Sequence, residues 1–213
     1  MVCVICEKRK AKRFCPAKSA MICAICCGQE REVTIDCPSD CPHLIASREH
    51  YEKRLPSDWD TIPFAERRIS RSVLAGHDRL FLDIAYAVCE SARENPSLVD
   101  SDVIAAMVAL AEGFDTLSKG VIYEKPPDHR MQRELYDALK KAVEGNKERD
   151  REGLKVPASV PEPEMRDVLI LLTQLVAMRS NGRPKGRASI DFLRSQFDPG
   201  TFTKNAPGLI VTP

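Results

Sequence analysis

Residues 3–43 read CVICEKRKAKRFCPAKSAMICAICCGQEREVTIDCPSDCPH and hold eight of the nine cysteines in the chain. Six of these form three close pairs, Cys3-x2-Cys6, Cys23-x2-Cys26 and Cys37-x3-Cys41. In each pair the spacing lets two thiolates bind one tetrahedral zinc ion. Few apolar residues separate the cysteines, so burial alone cannot stabilise a segment of this length. The pattern therefore predicts a small zinc-binding domain.

The overall composition is that of a soluble globular protein, with 43% hydrophobic and 30% charged residues and a formal net charge of +1. This charge gives no general reason to expect a nucleic-acid or membrane partner. No signal-peptide pattern precedes the cysteines, and the most apolar run, residues 168–178, is about half of the ~20 residues that a membrane span needs. We therefore expect a cytoplasmic protein whose reduced thiols bind metal. Four disulfides are the alternative for a secreted protein.

Part of the cysteine-rich segment resembles the B-box zinc finger, a family that folds as a cross-brace around two zinc ions. The matching residues are Cys3, Cys6, Ala11, Phe14, Cys15, Ile22, Cys23 and Cys26. The resemblance implies that the first pair, Cys3-x2-Cys6, shares one zinc with Cys23-x2-Cys26. It also implies that the zinc finger presents a rigid surface to a protein partner.

The second site of that family is altered here. Lys18 occupies the position of one family ligand, and its ammonium group has no lone pair for zinc. Three cysteines remain for this site: Cys15, Cys37 and Cys41. Cys27 is the expected fourth ligand, because it can point to the opposite side from its neighbour Cys26, and His43 is the reserve. We thus expect two zinc ions, and at least one, in closed structural sites.

Basic residues crowd the same segment. They are Lys8, Arg9, Lys10, Lys12 and Arg13, with Lys18 nearby. One interpretation is a phosphate-binding patch, which would make the protein a nucleic-acid-binding regulator. The favoured interpretation is that these cations offset the negative charge of the zinc thiolates and stay solvated.

A second basic stretch, GRPKGR at residues 182–187, resembles the core of an AT-hook, a segment that binds the minor groove of DNA. Asn181 stands where that motif has an arginine. A basic turn between two helices is the favoured prediction.

The rest of the chain has the apolar periodicity of helices, while the alternation over residues 31–36 predicts one short strand. Five helices are expected after the cysteine-rich segment: from near Pro63 to Arg93, from Asp100 or Ser101 to Gly120, from Asp128 to about Arg151, from Glu164 to Arg179 and from Ala188 to Phe197. We therefore predict a zinc-binding domain over residues 1–58, made of short strands plus a helix and including the exit helix that follows the last cysteines. We predict that this domain is followed by an all-α helical bundle over residues 59–200 and by a loosely ordered tail over residues 201–213.

No motif in the sequence indicates catalysis, since paired carboxylates, a Ser/His/Asp set and a glycine-rich phosphate loop are all missing. A thiol-redox role for Cys23-x2-Cys26 is the remaining enzymatic alternative. The leading prediction is a non-enzymatic adaptor that binds a protein partner through the zinc domain. The helical bundle would supply a second interface or form a homo-oligomer.

Overall fold

A computed structural model describes residues 1–52, 59–121, 123–149 and 161–202. Within these ranges the chain is mostly helical, with one two-stranded antiparallel sheet near the N-terminus. The predicted order, a small cysteine-rich part with strands and then a helical part, is confirmed at this level. No helix in the described ranges combines the length and the apolar character that crossing a membrane requires.

A β-hairpin and one short helix form the cysteine-rich part. Strand β1 (Arg13–Cys15) pairs with β2 (Ala20–Ile22), and one 3-10 turn (Pro16–Lys18) joins them. Helix α1 (Ala24–Glu30) follows β2 at once. An isolated bridge between Val2 and Lys10 ties the N-terminal residues to this hairpin. The bridge and the hairpin together hold two chain reversals next to each other, one before β1 and one after β2.

The predicted strand over residues 31–36 is wrong. The amides of Val33, Thr34 and Ile35 all donate to the carbonyl oxygen of Glu30, so the segment is a tight turn that ends α1. Glu32 has φ of 52°, which lies in the left-handed region, and only 2% of its surface is exposed. The apolar alternation misleads here because the polar Glu32 points into the protein.

The predicted exit helix of the cysteine-rich segment is present as α2 (Pro42–Glu52), which begins directly after Cys41. The predicted boundary near residue 58 lies outside the described ranges, as do most of the predicted 201–213 tail and the end predicted near Arg151. These remain predictions.

Five α-helices of the described ranges form the helical part. They are α3 (Asp78–Glu94), α4 (Asp100–Ser118), α5 (Arg130–Arg149), α6 (Glu162–Arg179) and α7 (Ala188–Arg194). Helix α6 packs on α4 and α7, while α5 packs on both α3 and α4. The apolar composition of α6 agrees with its burial, since nine of its residues, from Met165 to Val176, are buried.

The predicted helix start near Pro63 is wrong, because α3 begins only at Asp78. Residues 59–77 instead contain two 3-10 turns (Trp59–Thr61 and Arg71–Leu74) and irregular chain. Gln174 of α6 explains part of this, since its side-chain amide donates to the carbonyl oxygens of Phe64 and Arg67 at 2.8 and 2.9 Å. A helix through these two residues would need the same carbonyl oxygens for its own hydrogen bonds.

The loop between α6 and α7, residues 181–187, binds the cysteine-rich part and is called the docking loop below. Asn181 donates to the Glu32 carboxylate at 2.7 Å, and the Lys185 amide donates to the Glu32 carbonyl at 2.8 Å. Arg183 donates to the carbonyl oxygens of Gly28 and Arg31. The loop is thus the predicted basic turn between helices, and its donors point to backbone and carboxylate oxygens of the same chain.

Candidate metal centre

Four sulfur atoms, those of Cys3, Cys6, Cys23 and Cys26, lie within 4.8 Å of one another. The Cys6 and Cys23 sulfurs are 4.0 Å apart. A tetrahedral zinc–thiolate site with Zn–S bonds of about 2.3 Å has sulfur–sulfur edges of about 3.8 Å. Over the described residues, this is the one group of His, Cys, Asp or Glu side chains close enough to hold a metal ion. The donor set and the spacing fit zinc.

The two reversals of the chain position these ligands. In the first, the Glu7 amide donates to the Cys3 carbonyl at 2.8 Å and the Cys3 amide donates to the Arg9 carbonyl at 2.9 Å. In the second, Cys23 is the N-cap of α1, and its sulfur accepts a hydrogen bond from the Cys26 amide at 3.4 Å. These backbone hydrogen bonds hold the two cysteines of each pair in one turn of the chain.

The protonation of the four thiols is uneven. Burial opposes ionisation of Cys3, but the backbone amides of Cys6, Cys23 and Ile5 outweigh it and lower the pKa of Cys3 to about 6. Burial and the neighbouring cysteines raise the pKa of Cys26 to about 12. Zinc binds thiolates, so loading this site releases the protons that Cys26 and its neighbours hold.

The residues predicted for the second site lie in one place. Cys15 of β1, Cys27 of α1, and Cys37, Cys41 and His43 all line a single narrow pocket. Cys26 thus belongs to the first cluster, whereas its neighbour Cys27 lines this pocket. No described group other than the first four cysteines reaches metal-binding distances, so the second zinc stays a prediction.

Two arginines next to Cys27 set the charge of the second pocket. An Arg31 nitrogen lies 3.6 Å from the Cys27 sulfur. Burial opposes ionisation of Cys27, but hydrogen bonds from Arg13 and Arg31 outweigh it and lower the pKa of this thiol. Burial raises the pKa of Cys37, which also lies near the charges of Glu32 and Cys41.

The basic run divides into two groups. Arg9 lies at the first cluster, where a hydrogen bond to Cys23 is the main cause of its raised pKa, and Arg13 lies beside Cys27. The remaining members are exposed lysines, for which we find no ion pair within the described ranges: Lys8, Lys10, Lys12 and Lys18. The two arginines lie where their positive charge compensates negative charge on thiolates, whereas the four lysines face the solvent.

Sequence reasoning missed a charged network that joins the two parts. Buried Glu32 pairs with Arg48 of α2 at 2.8 Å, and Arg48 also pairs with Asp191 of α7. Ser39 donates to the same Asp191 at 2.9 Å. Asn181, which stands where an AT-hook has an arginine, joins this network by donating from its side-chain amide to the Glu32 carboxylate.

Comparisons with protein-family models, with curated proteins and with solved structures find no match. The B-box resemblance is therefore carried by the quoted residues alone. The candidate metal site rests on its own geometry.

Proposed function

We infer that this chain is a zinc-stabilised, non-enzymatic interaction module. The observation that carries this is the group of four sulfurs from Cys3, Cys6, Cys23 and Cys26 within 4.8 Å of one another. Thiolates are soft ligands that suit zinc, and a closed set of four leaves no coordination position for a substrate or water. The site would thus supply folding free energy to the cysteine-rich part.

A protein partner is supported by the surface around this site. Large apolar side chains are exposed close to it, among them Val2 at 57%, Val4 at 54% and Phe14 at 57%. Phe14 lies on β1 opposite Met21 of β2, so it forms part of an ordered hairpin face. Rigid exposed apolar groups of this kind are typical of protein-interaction sites. The B-box resemblance implies the same use.

We include a second zinc in this proposal, held by Cys15, Cys27, Cys37 and Cys41 with His43 as the reserve ligand. Their shared pocket supports it. Movements of the side chains would be needed to bring the four sulfurs to metal-binding distances.

Metal content tests the proposal. Protein purified without added metal should contain one to two zinc ions per chain by elemental analysis. Cobalt substitution should give the intense charge-transfer absorption of thiolate ligands. Cys26→Ser should lose one metal equivalent, while the control Cys89→Ala, at the buried cysteine of α3, should keep the full content. Zinc-free wild-type protein would refute the metal role.

Nucleic-acid binding is the second candidate function. The observation that favours it is a set of exposed lysines that make no ion pair within the described ranges, in the same segment as the exposed Phe14: Lys8, Lys10, Lys12 and Lys18. Such a patch could combine phosphate contacts with base stacking. If this is correct, affinity for single-stranded RNA or DNA should fall steeply with salt, and Lys8→Gln with Lys12→Gln should lower the slope by about two. Absence of salt-dependent binding would eliminate this candidate.

A further inference from the structure

A pocket of about 600 Å³, measured out to its mouth, opens between the cysteine-rich part and the helical part. Its walls come from the turn after α1, from α2, from the end of α6 and from the docking loop. Pockets that bind small molecules commonly lie where two structural units meet. The place of this pocket is therefore that of a ligand site.

The lining of this pocket is strongly cationic. Four arginines contribute to it, Arg31, Arg48, Arg179 and Arg183, against one carboxylate, that of Glu32. The arginines come from the turn after α1, from α2, from α6 and from the docking loop, and the fold brings these residues to one cavity. In an open pocket of this charge, an anionic ligand is favoured.

The partners of a guanidinium group determine whether its positive charge is available to a ligand. Arg48 is committed, since it pairs with both Glu32 and Asp191. Arg183 uses one nitrogen to bind the backbone carbonyls of Gly28 and Arg31 and reaches no carboxylate in the described ranges. Arg31 contacts the Cys27 sulfur and likewise reaches no carboxylate there. Arg31 and Arg183 thus carry two positive charges that no described carboxylate balances.

We propose that this pocket binds a phosphate group, either as the free ion or carried on a small organic molecule. The two uncompensated guanidinium groups match the charge of about −1.5 to −2 that a phosphate monoester has at pH 7. A ligand with a single carboxylate would balance only one of these two positive charges. Guanidinium groups also present planar pairs of N–H donors that fit phosphate oxygens. This site shares Arg31 with the second cysteine pocket, whereas the cluster of Cys3, Cys6, Cys23 and Cys26 contributes no residue to its lining.

Ser47 of α2 allows a test that leaves the arginines in place. It lines the pocket and makes no hydrogen bond within the described part of the chain. Ser47→Glu places a carboxylate among the guanidinium groups, and Ser47→Gln is the matched control of similar size without the charge. The expected loss of phosphate affinity for Ser47→Glu relative to Ser47→Gln is at least about tenfold.

The experiment is calorimetric titration of the full-length protein with inorganic phosphate and with glycerol 3-phosphate. Acetate and sodium chloride at equal ionic strength serve as reference ligands. Saturable binding of either phosphate compound that Ser47→Glu weakens and Ser47→Gln keeps supports the proposal. Tighter binding of glycerol 3-phosphate assigns the site to an organic phosphate, and tighter binding of inorganic phosphate assigns it to the free ion.

Three results would overturn the proposal. The first is no saturable phosphate binding by the wild type up to roughly 10 mM. The second is equal binding of acetate and phosphate, and the third is equal affinity in the Ser47→Glu and Ser47→Gln variants. Zinc content and far-UV circular dichroism of each variant show whether it has folded. If Ser47→Glu fails that check, Arg31→Gln takes its place, and unchanged phosphate affinity in that variant refutes the site.

Discussion

Two clusters of buried side chains occupy the described part of the chain, and they differ in what fills them. The cluster in the cysteine-rich part has eight buried residues, of which five are cysteines. The cluster in the helical part has 24, of which one is a cysteine. The cluster in the helical part is large enough to be stabilised by apolar burial, which contributes about 25 cal/mol per Å² of buried apolar surface. The cluster in the cysteine-rich part is too small for that, and we propose that a metal ion bound by its cysteines stabilises it instead, so that the two parts of one chain would depend on different sources of free energy.

Metal removal should have the largest effect and should separate the two parts. Chelation, or Cys23→Ser, is expected to unfold the hairpin and α1, because structural zinc supplies roughly 10–16 kcal/mol in small zinc domains. Hydrogen exchange read by mass spectrometry should show protection lost over residues 1–40 and largely kept in α4 and α6. Retained protection in the hairpin after chelation would contradict the dependence on metal.

The converse experiment is a cavity in the helical core. Leu169 of α6 is fully buried, so Leu169→Ala should lower the free energy of unfolding by about 2–5 kcal/mol. Chemical denaturation followed by circular dichroism measures this loss, and zinc content should stay unchanged. Leu82→Ala, at an exposed position of α3, is the control and should cost far less. Loss of zinc in Leu169→Ala would show that the two parts are a single cooperative unit.

Glu32→Gln tests the connection between the parts. It removes the charge that Arg48 and Asn181 bind, at an expected cost of roughly 2–3 kcal/mol, because Arg48 loses a buried counter-ion. Exchange protection should fall at residues 28–36 and 181–187 together. Glu49→Gln, at an exposed site on α2, is the matched control and should change neither region. A loss confined to one of the two stretches would argue against docking through Glu32.

The smallest expected effect is a pH dependence confined to the helical part. Hydrogen bonds from Arg67 and Lys119 lower the pKa of Asp115 to about 2. A lowered folded-state pKa adds stability that is present above about pH 4 and is lost as the pH falls towards 2. Asp115→Asn should remove this acid slope, at a cost of less than about 1 kcal/mol at neutral pH. Denaturation of both proteins between pH 2 and 5 measures it, with the exposed Asp137→Asn as control. Equal slopes in wild type and Asp115→Asn would refute the contribution.

The features that sequence predicted are those encoded over short distances. The Cys-x2-Cys spacing identified the pairs of the first cluster, and the apolar periodicity identified the helix that the structure shows as α6. Cys26 belongs to the first cluster and Cys27 lines the other pocket, while the role of Cys27 as a ligand of a second zinc remains a prediction. Each of these inferences needs only a few neighbouring residues.

The features that sequence did not predict depend on contacts between distant residues. Asn181 and Glu32 are 149 positions apart, and neither has a neighbour that signals the pairing. The same is true of Gln174, whose contacts with Phe64 and Arg67 lie where a helix was expected. A local sequence pattern carries no information about a partner residue that is distant in the chain.

The separation of the docking loop from the residues that it binds has a consequence for biosynthesis. Ribosomes add roughly 5–20 residues per second, so the turn at Glu32 is made some 7–30 seconds before Asn181 exists. During this interval the cysteine-rich part has no docking loop to hold it. Zinc capture by Cys3, Cys6, Cys23 and Cys26 is therefore expected on the nascent chain, and the helical part then closes onto a segment that is already folded.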